Sequence, residues 1–516
     1  MTGLCSLAVL LATISGGVSA AIGPVGELRI HNIDIAPDGF PRLATVANDG
    51  VTGPLIRGNK GDTFSIDVRN QLDVESLDLV TSIHWHGMFQ RGTNYADGGA
   101  FVNQCPIIPD NSFTYRFKTD KQAGTYWYHS HFRAQYCDGL RGPLVVYDRD
   151  DPHARLYDVD NEDTIITLAD WYHTISPEAP PNGLVSNSTL INGKGRYPGG
   201  PSAPLAVVHV NREKRYRLRL VSISCDPAFT FSIDGHQLTI IEVDGENTRP
   251  LVVDSLQIFA GQRYSVVLNA NQPIDNYWIR AVPNKGNPGF IGLTNLAILR
   301  YRGAPLADPS DPTTDIPPSV LPLKETDLHP LVPNPVPGND SGDADIKINL
   351  AVSAANGKFL VDGVAYESPD VPVLLQILSG VPPSELLPKG SIRLLEGKKS
   401  VEISIPAGAP GAPHPIHLHG HAFHVVRSAG SESYNLIDPV VRDVVSMGNG
   451  NDNVTIRFFT DNPGPWFLHC HIDWHLENGF AVVFAEDVPA VSSVVHPPEQ
   501  WDELCLKYND FIKPPA

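Results

Sequence analysis

The sequence predicts an all-β protein, built of antiparallel β-sandwiches in three sequential domains with few short helices. Glycine (44) and proline (46) are abundant, a turn content that favours many short strands over long helices. Apolar and polar residues alternate with period two in run after run, which sets one face of each strand into a core. The 516 residues, at roughly 100–200 per domain, suggest three such cores. An apolar fraction of 42% with 18% charged residues belongs to a folded chain.

Residues 1–20 read as a secretory signal peptide. Their apolar stretch, Leu4 to Ile14, is too short to span a bilayer, and Val18-Ser19-Ala20 fits a small-residue cleavage site, although no Lys or Arg precedes it. Sequons at Asn187, Asn339 and Asn453 fit an extracellular, N-glycosylated protein. The first domain is expected over 21–151, with strands through Phe64, Ile66 and Val68 and through Phe113, Tyr115 and Phe117. A second follows over 152–322, where Tyr216, Leu218 and Leu220 alternate. A proline-rich stretch from Pro305 to Pro337 reads as an extended linker into the third domain, 323–516. There Val401, Ile403 and Ile405, then Val454, Ile456 and Phe458, mark strands. The clearest helix comes last, with Trp501, Leu504, Cys505 and Tyr508 on one face after Pro498.

The formal net charge of −19 repels polyanions, so neither nucleic acid nor an anionic membrane is expected as partner. No further run approaches the ~18 consecutive apolar residues of a membrane span. A secreted, soluble monomer is the expectation.

First and last domains repeat each other. His84-Trp-His-Gly87 matches His417-Leu-His-Gly420, and Gly124-Thr-Tyr-Trp-Tyr-His-Ser-His131 aligns without gaps on Gly464-Pro-Trp-Phe-Leu-His-Cys-His471. From His84 to His129 is 45 residues, and from His417 to His469 is 52, so the two domains are built alike. The middle third carries only a faint echo, Ile233-Asp-Gly-His236.

Eight of the 19 histidines thus form four His-x-His pairs: His84/His86, His129/His131, His417/His419 and His469/His471. In an extended segment, i and i+2 share a face, so each pair can reach into one cavity. Eight imidazoles with no carboxylate in the pairs suit a redox-capable copper cluster better than a hard cation, and exceed what a zinc site uses. His31, His153, His173, His209, His329 and His496 stand alone and read as ordinary structural residues. A second set, His414, Cys470 and His475, offers the two imidazoles and one thiolate of a trigonal blue-copper centre. Ten residues beyond Cys470, where a weak axial methionine is often found, stands Phe480, which cannot coordinate; its presence favours a raised copper potential. His469-Cys470-His471 joins the two sites covalently, whereas Ser130 takes the cysteine's place in domain one. Without Cys5 of the leader, five cysteines remain; with Cys470 committed, Cys105, Cys137, Cys225 and Cys505 allow two disulfides in three connectivities.

These motifs resemble those of the blue multicopper oxidases and, among them, the fungal laccases of basidiomycete type. Residues 84–107, His414-Pro-Ile-His-Leu-His-Gly-His421 and residues 469–480 carry the resemblance, as does the mature start Ala21-Ile-Gly-Pro. It implies three cupredoxin-like Greek-key domains and four copper ions. His414, Cys470 and His475 would bind type 1 copper, and His84 and His417 type 2. His86, His129 and His471 would hold one type 3 copper, and His131, His419 and His469 the other. The cluster would sit between domains one and three, with domain two walling the substrate pocket. The resemblance also implies the disulfides Cys105–Cys505 and Cys137–Cys225. Asp226 matches the carboxylate that takes the phenol proton beside His475, and Asp97 and Asp473 match carboxylates near the cluster. Arg133 is a departure: related high-potential enzymes have serine there, facing the helix that carries Glu477.

The implied activity is a laccase that takes single electrons from phenols or aromatic amines and reduces dioxygen to water, in phenolic or lignin degradation or detoxification. A pigment-forming role shares the same motifs. A ferroxidase of the same superfamily is the alternative, and a copper-binding cupredoxin protein without turnover is the non-enzymatic one.

Overall fold

Alternation along the chain does build the strands. In the computed structural model, which describes residues 20–180, 183–284, 294–310, 319–338, 342–411 and 413–513, Thr63–Asn70 and Ser112–Lys118 pair antiparallel. Phe64, Ile66, Val68, Phe113, Tyr115 and Phe117 are all buried there. Strands Arg215–Ser222, Ser400–Pro406 and Asn453–Phe459 likewise contain the other alternating runs. The leader up to residue 19 and the sequon at Asn339 lie outside the described residues.

The strands form three successive pairs of sheets. Two four-stranded sheets lie within residues 25–147, a six- and a five-stranded sheet within 165–301, and two five-stranded sheets with a two-stranded ribbon within 346–486. The sheets are mixed, a correction to the antiparallel expectation. Each of the six large sheets includes one parallel pair, for example Val25–Ile35 beside Thr63–Asn70 and Ile392–Leu395 beside Ala481–Glu486. Alternation identifies the buried face of a strand but carries no information about the direction of its neighbour. The parallel pairs arise where the chain crosses from one sheet to the other before pairing.

The described part of the proline-rich stretch forms no strand, and its residues from 319 on run beside the middle domain, with bridges Ser255↔Pro322 and Thr248↔Pro330. The terminal helix, Glu499–Phe511, begins after Pro498 as its sequence requires. It buries Trp501 and Leu504, and the Trp501 indole N–H donates to the Asn103 carbonyl at 3.0 Å. Gln500 accepts from the Thr114 N–H at 3.0 Å, and Cys505 is disulfide-bonded to Cys105. The end of the chain is thereby fastened to the first domain. Among the described residues, no helix is long and apolar enough to cross a membrane.

The repeated motifs occupy equivalent registers. His84 faces His129 across strands Ile83–His86 and Gly124–Ser130, and His417 faces His469 across Pro415–Leu418 and Gly464–Cys470. Every residue of these four strands is buried. They lack the polar face seen in other strands because one side lines its own sandwich and the other packs on neighbouring domains.

Candidate metal centres

The eight paired histidines converge between the first and last domains. Their outward nitrogens are occupied by protein acceptors: His84 Nδ1 by the Asp97 carbonyl (2.8 Å), His129 Nδ1 by that of Ser130 (2.8 Å), and His417 Nδ1 by that of Asp443 (2.9 Å). The Cys470 carbonyl takes His469 Nδ1 at 2.9 Å, and the Asp97 carboxylate takes His419 Nδ1 at 2.8 Å. A nitrogen that donates outward carries the proton, so the other nitrogen of each ring presents a bare lone pair inward. These lone pairs face one another: His419 Nε2 and His469 Nε2 are 3.0 Å apart, and His84 Nε2 and His417 Nε2 3.5 Å. His86 is turned the other way, with Nε2 3.3 Å from Asp443 Oδ1 and Nδ1 3.2 Å from His471 Nε2. The inward Nε2 atoms of His129 and His131 are buried without a hydrogen-bond partner. Opposed lone pairs in a dry cavity call for a cation, and three sets of ligand atoms lie close enough to share one: His84/His86/His417, His86/His129/His471 and His131/His419/His469.

Desolvation, reinforced by neighbouring rings, lowers His131 and His471 to about 3 and holds His86, His129, His417, His419 and His469 well below the usual histidine range. At neutral pH these seven rings are therefore neutral and ready to ligate.

The second set is equally close. His414 Nδ1 and His475 Nδ1 are 3.1 Å apart, and the Cys470 sulfur lies 3.7 Å from the first and 3.6 Å from the second. Phe480 is buried with its ring centroid 5.2 Å from that of His414. Phe359 stacks on Phe480 at 5.2 Å and meets His475 at 4.5 Å. His414 and Cys470 are buried, whereas His475, on the short helix Asp473–Glu477, is partly exposed. Of these three residues, His475 is the one that reaches toward solvent.

Asp226 is also partly exposed. Its N–H donates to Asp170 Oδ2 at 3.0 Å, and the carbonyl of neighbouring Cys225 accepts the Asp473 N–H at 3.0 Å, tying this turn to the helix of His475. Cys137–Cys225 and Cys105–Cys505 are both formed, and among the described residues Cys470 is the cysteine outside a disulfide. Asp97 touches the cluster directly. Asp473 instead has its carboxylate 3.6 Å from the Cys137 sulfur, and burial beside Glu477 and Asp170 holds its pKa well above the usual range. Burial, and after it the nearby Asp473 carboxylate, raises the Tyr136 hydroxyl well above its usual range, and that hydroxyl is 3.3 Å from His471 Nδ1. Arg133 pairs with Asp78 at 3.1 Å. The echo residue His236 belongs to the middle domain's core, with Nε2 2.7 Å from the Tyr301 hydroxyl. Asn187 accepts from the His173 N–H, and Asn453 is partly buried at the start of its strand.

Multicopper oxidase family models match residues 29–151, 162–304 and 366–490. A laccase of Trametes hirsuta is 58% identical over 509 residues, covering 98% of this chain and 97% of the relative. Laccase-1 of Pleurotus ostreatus is 58% identical, covering 96% and 94%.

The chain belongs to the multicopper oxidases.

Among solved structures, the laccase of Botrytis aclada is 31% identical with a TM-score of 0.81, covering 96% of this chain and 93% of that one. Fet3p, a multicopper oxidase that functions in iron import, is 26% identical with a TM-score of 0.83, covering 94% and 95%. The cofactors of this multicopper oxidase are four copper ions: one type 1, one type 2 and two type 3.

Several residues at these centres carry no sequence signal of their own. Asp443 and Arg263 are single charged residues far from any His-x-His pair, and Phe359 and Asp170 sit in unremarkable strand contexts. Asp170 organises the donor side: its carboxylate accepts the N–H groups of Cys225 (2.9 Å) and Asp226 (3.0 Å), the Tyr172 hydroxyl (2.6 Å) and Arg141 (3.2 Å). Only Tyr136 had a cue, standing one residue before Cys137 and a few after His131.

Proposed function

We propose that this multicopper oxidase is a secreted, monomeric laccase that oxidises phenols and aromatic amines and reduces dioxygen to water. One observation carries the reading: a thiolate–diimidazole set, partly open to solvent at His475, is joined through His469-Cys470-His471 to a buried set of eight inward-facing imidazoles.

By motif position in the family, His414, Cys470 and His475 would hold type 1 copper, and His84 and His417 type 2. His86, His129 and His471 would hold one type 3 copper, and His131, His419 and His469 the other. Copper held by these residues would supply the one-electron redox chemistry that links the donor to dioxygen. The remaining work belongs to the chain. His475 meets the donor because its ring is partly exposed while His414 and Cys470 are sealed from water. Phe359 and Phe480 keep the surroundings of the sulfur apolar. Losing an electron makes a phenol hydroxyl strongly acidic, and Asp226, on the turn tied to the helix of His475, would take that proton. Four phenols release four electrons and four protons, which balance one dioxygen and two waters. Asp97, in contact with His419 and His84, and Asp473, through Tyr136, would hold protons near the cluster.

The test is dioxygen uptake by copper-replete protein, with a methoxyphenol and ferrous iron as donors in separate runs. Phenol-driven uptake supports the laccase reading. Uptake with iron alone would reassign the protein as a ferroxidase, and no uptake with either donor would leave a copper binder without turnover.

A further inference from the structure

The middle domain contributes no histidine to the cluster, yet one of its turns lies against it. Between strands Ser255–Ile258 and Arg263–Asn269 the chain reverses through Gly261, at φ +84°. A Cβ on Gly261 would come 2.8 Å from His471 Cδ2 and 3.0 Å from His86 Cε1, so glycine alone lets the backbone approach both rings. Gln262 then donates its side-chain amide to the Val444 carbonyl at 3.0 Å. Arg263, fully buried, clamps both oxygens of Asp443, with Nη1–Oδ1 and Nη2–Oδ2 each 2.6 Å. The same guanidinium donates to the Thr125 carbonyl of the first domain and to the Gly261 carbonyl, each at 3.0 Å.

Asp443 passes this restraint to two cluster rings. Its Oδ1 lies 3.3 Å from His86 Nε2, and its carbonyl accepts His417 Nδ1 at 2.9 Å. A bidentate guanidinium–carboxylate pair fixes the carboxylate plane as well as its position. The clamped carboxylate therefore keeps the His86 proton on Nε2 and the Nδ1 lone pair aimed at His471.

We propose that the middle-domain turn at residues 261–263 is a positioning element for the trinuclear copper site. Gly261 sets the His86 and His471 rings by contact, and Arg263 sets His86 and His417 through Asp443. The proposal rests on the copper assignment above. It gives the domain without copper ligands a part in the chemistry beyond walling the donor pocket.

Copper-loaded wild-type protein, Arg263→Lys and Gly261→Ala would be compared by copper content after chelator dialysis, by electron paramagnetic resonance and by absorption. Lysine keeps the charge but cannot grip both carboxylate oxygens; alanine keeps every charge and intrudes on the two rings. Loss of an outer-sphere partner typically weakens metal binding about 10–100-fold. The expected result is that both variants lose the cluster coppers first. The type 2 resonance and the near-ultraviolet band of the coupled pair should change, while the blue band at Cys470 keeps its intensity. Wild-type spectra and copper retention in both variants would overturn the proposal. So would a blue band that disappears in parallel with the other coppers, which marks general misfolding. Failure of the underlying reading is separable, because wild-type protein would then itself show neither the blue band nor phenol-driven oxygen uptake.

Discussion

On the proposed role of Asp226 as proton acceptor, replacing it with asparagine should separate proton transfer from electron transfer at the donor site. The backbone at this position is held independently of the side chain, by the 3.0 Å hydrogen bond from its N–H to Asp170. The backbone therefore stays in the same place, and asparagine loses the carboxylate's charge and with it the ability to take a proton. A positioned general base contributes about 10²–10⁴-fold, and partial exposure, which lets water compete, puts Asp226 at the lower end. A loss of about 100-fold in kcat/KM corresponds to about 2.7 kcal/mol of transition-state stabilisation. The assay is oxygen consumption with a methoxyphenol and, separately, with ferrocyanide, which gives up an electron and no proton. The phenol rate should fall and the ferrocyanide rate should not. Equal losses on both donors would show that the substitution disturbs the type 1 site rather than proton removal, and would refute the reasoning.

Phe480→Met should lower the type 1 potential in a redox titration, because a thioether at the axial position stabilises the oxidised ion; an unchanged or raised potential would count against an axial place for this ring. Cys105→Ser should cost about 2–5 kcal/mol and loosen the terminal helix, read by thermal melting and by proteolysis near residue 499. Trp501→Ala should cost about 3–5 kcal/mol through the cavity it leaves, with its hydrogen bond to Asn103 also lost. His236 is lowered by burial, so the folded ring stays neutral while the unfolded one takes a proton below about 6.5. Its contribution is complete above that pH and is lost as pH falls toward the folded-state value. The melting temperature should accordingly fall between pH 7 and pH 5, and His236→Gln should make that fall shallower.

The converging histidines were legible because strand geometry writes itself into sequence: i and i+2 on one face give His-x-His, and the repeat around His84 and His417 reveals two domains of one design. Strands with one wetter face, such as Thr63–Asn70, were legible for the same reason. Gly124–Ser130 is buried on both sides, so it shows no alternation and only the repeat reveals it. Strand direction was not legible, because the parallel pair in each large sheet depends on where the chain crosses over. Nor were the partners that fix the rings. Arg263 and Asp443 meet although 180 residues separate them, and a single arginine and a single aspartate have no spacing to read. Phe359 reaches the type 1 set from the ribbon strand Lys358–Val361, and that contact exists only through tertiary packing.

The most direct test of the central claim is the stoichiometry of phenol oxidation against dioxygen in the purified, copper-replete protein, measured with an oxygen electrode and an assay for hydrogen peroxide. Coupling of the thiolate site to the eight-histidine cluster predicts four phenol molecules oxidised per dioxygen, water as product and no peroxide. Two phenols per dioxygen with peroxide accumulating, or copper bound without oxygen uptake, would contradict it.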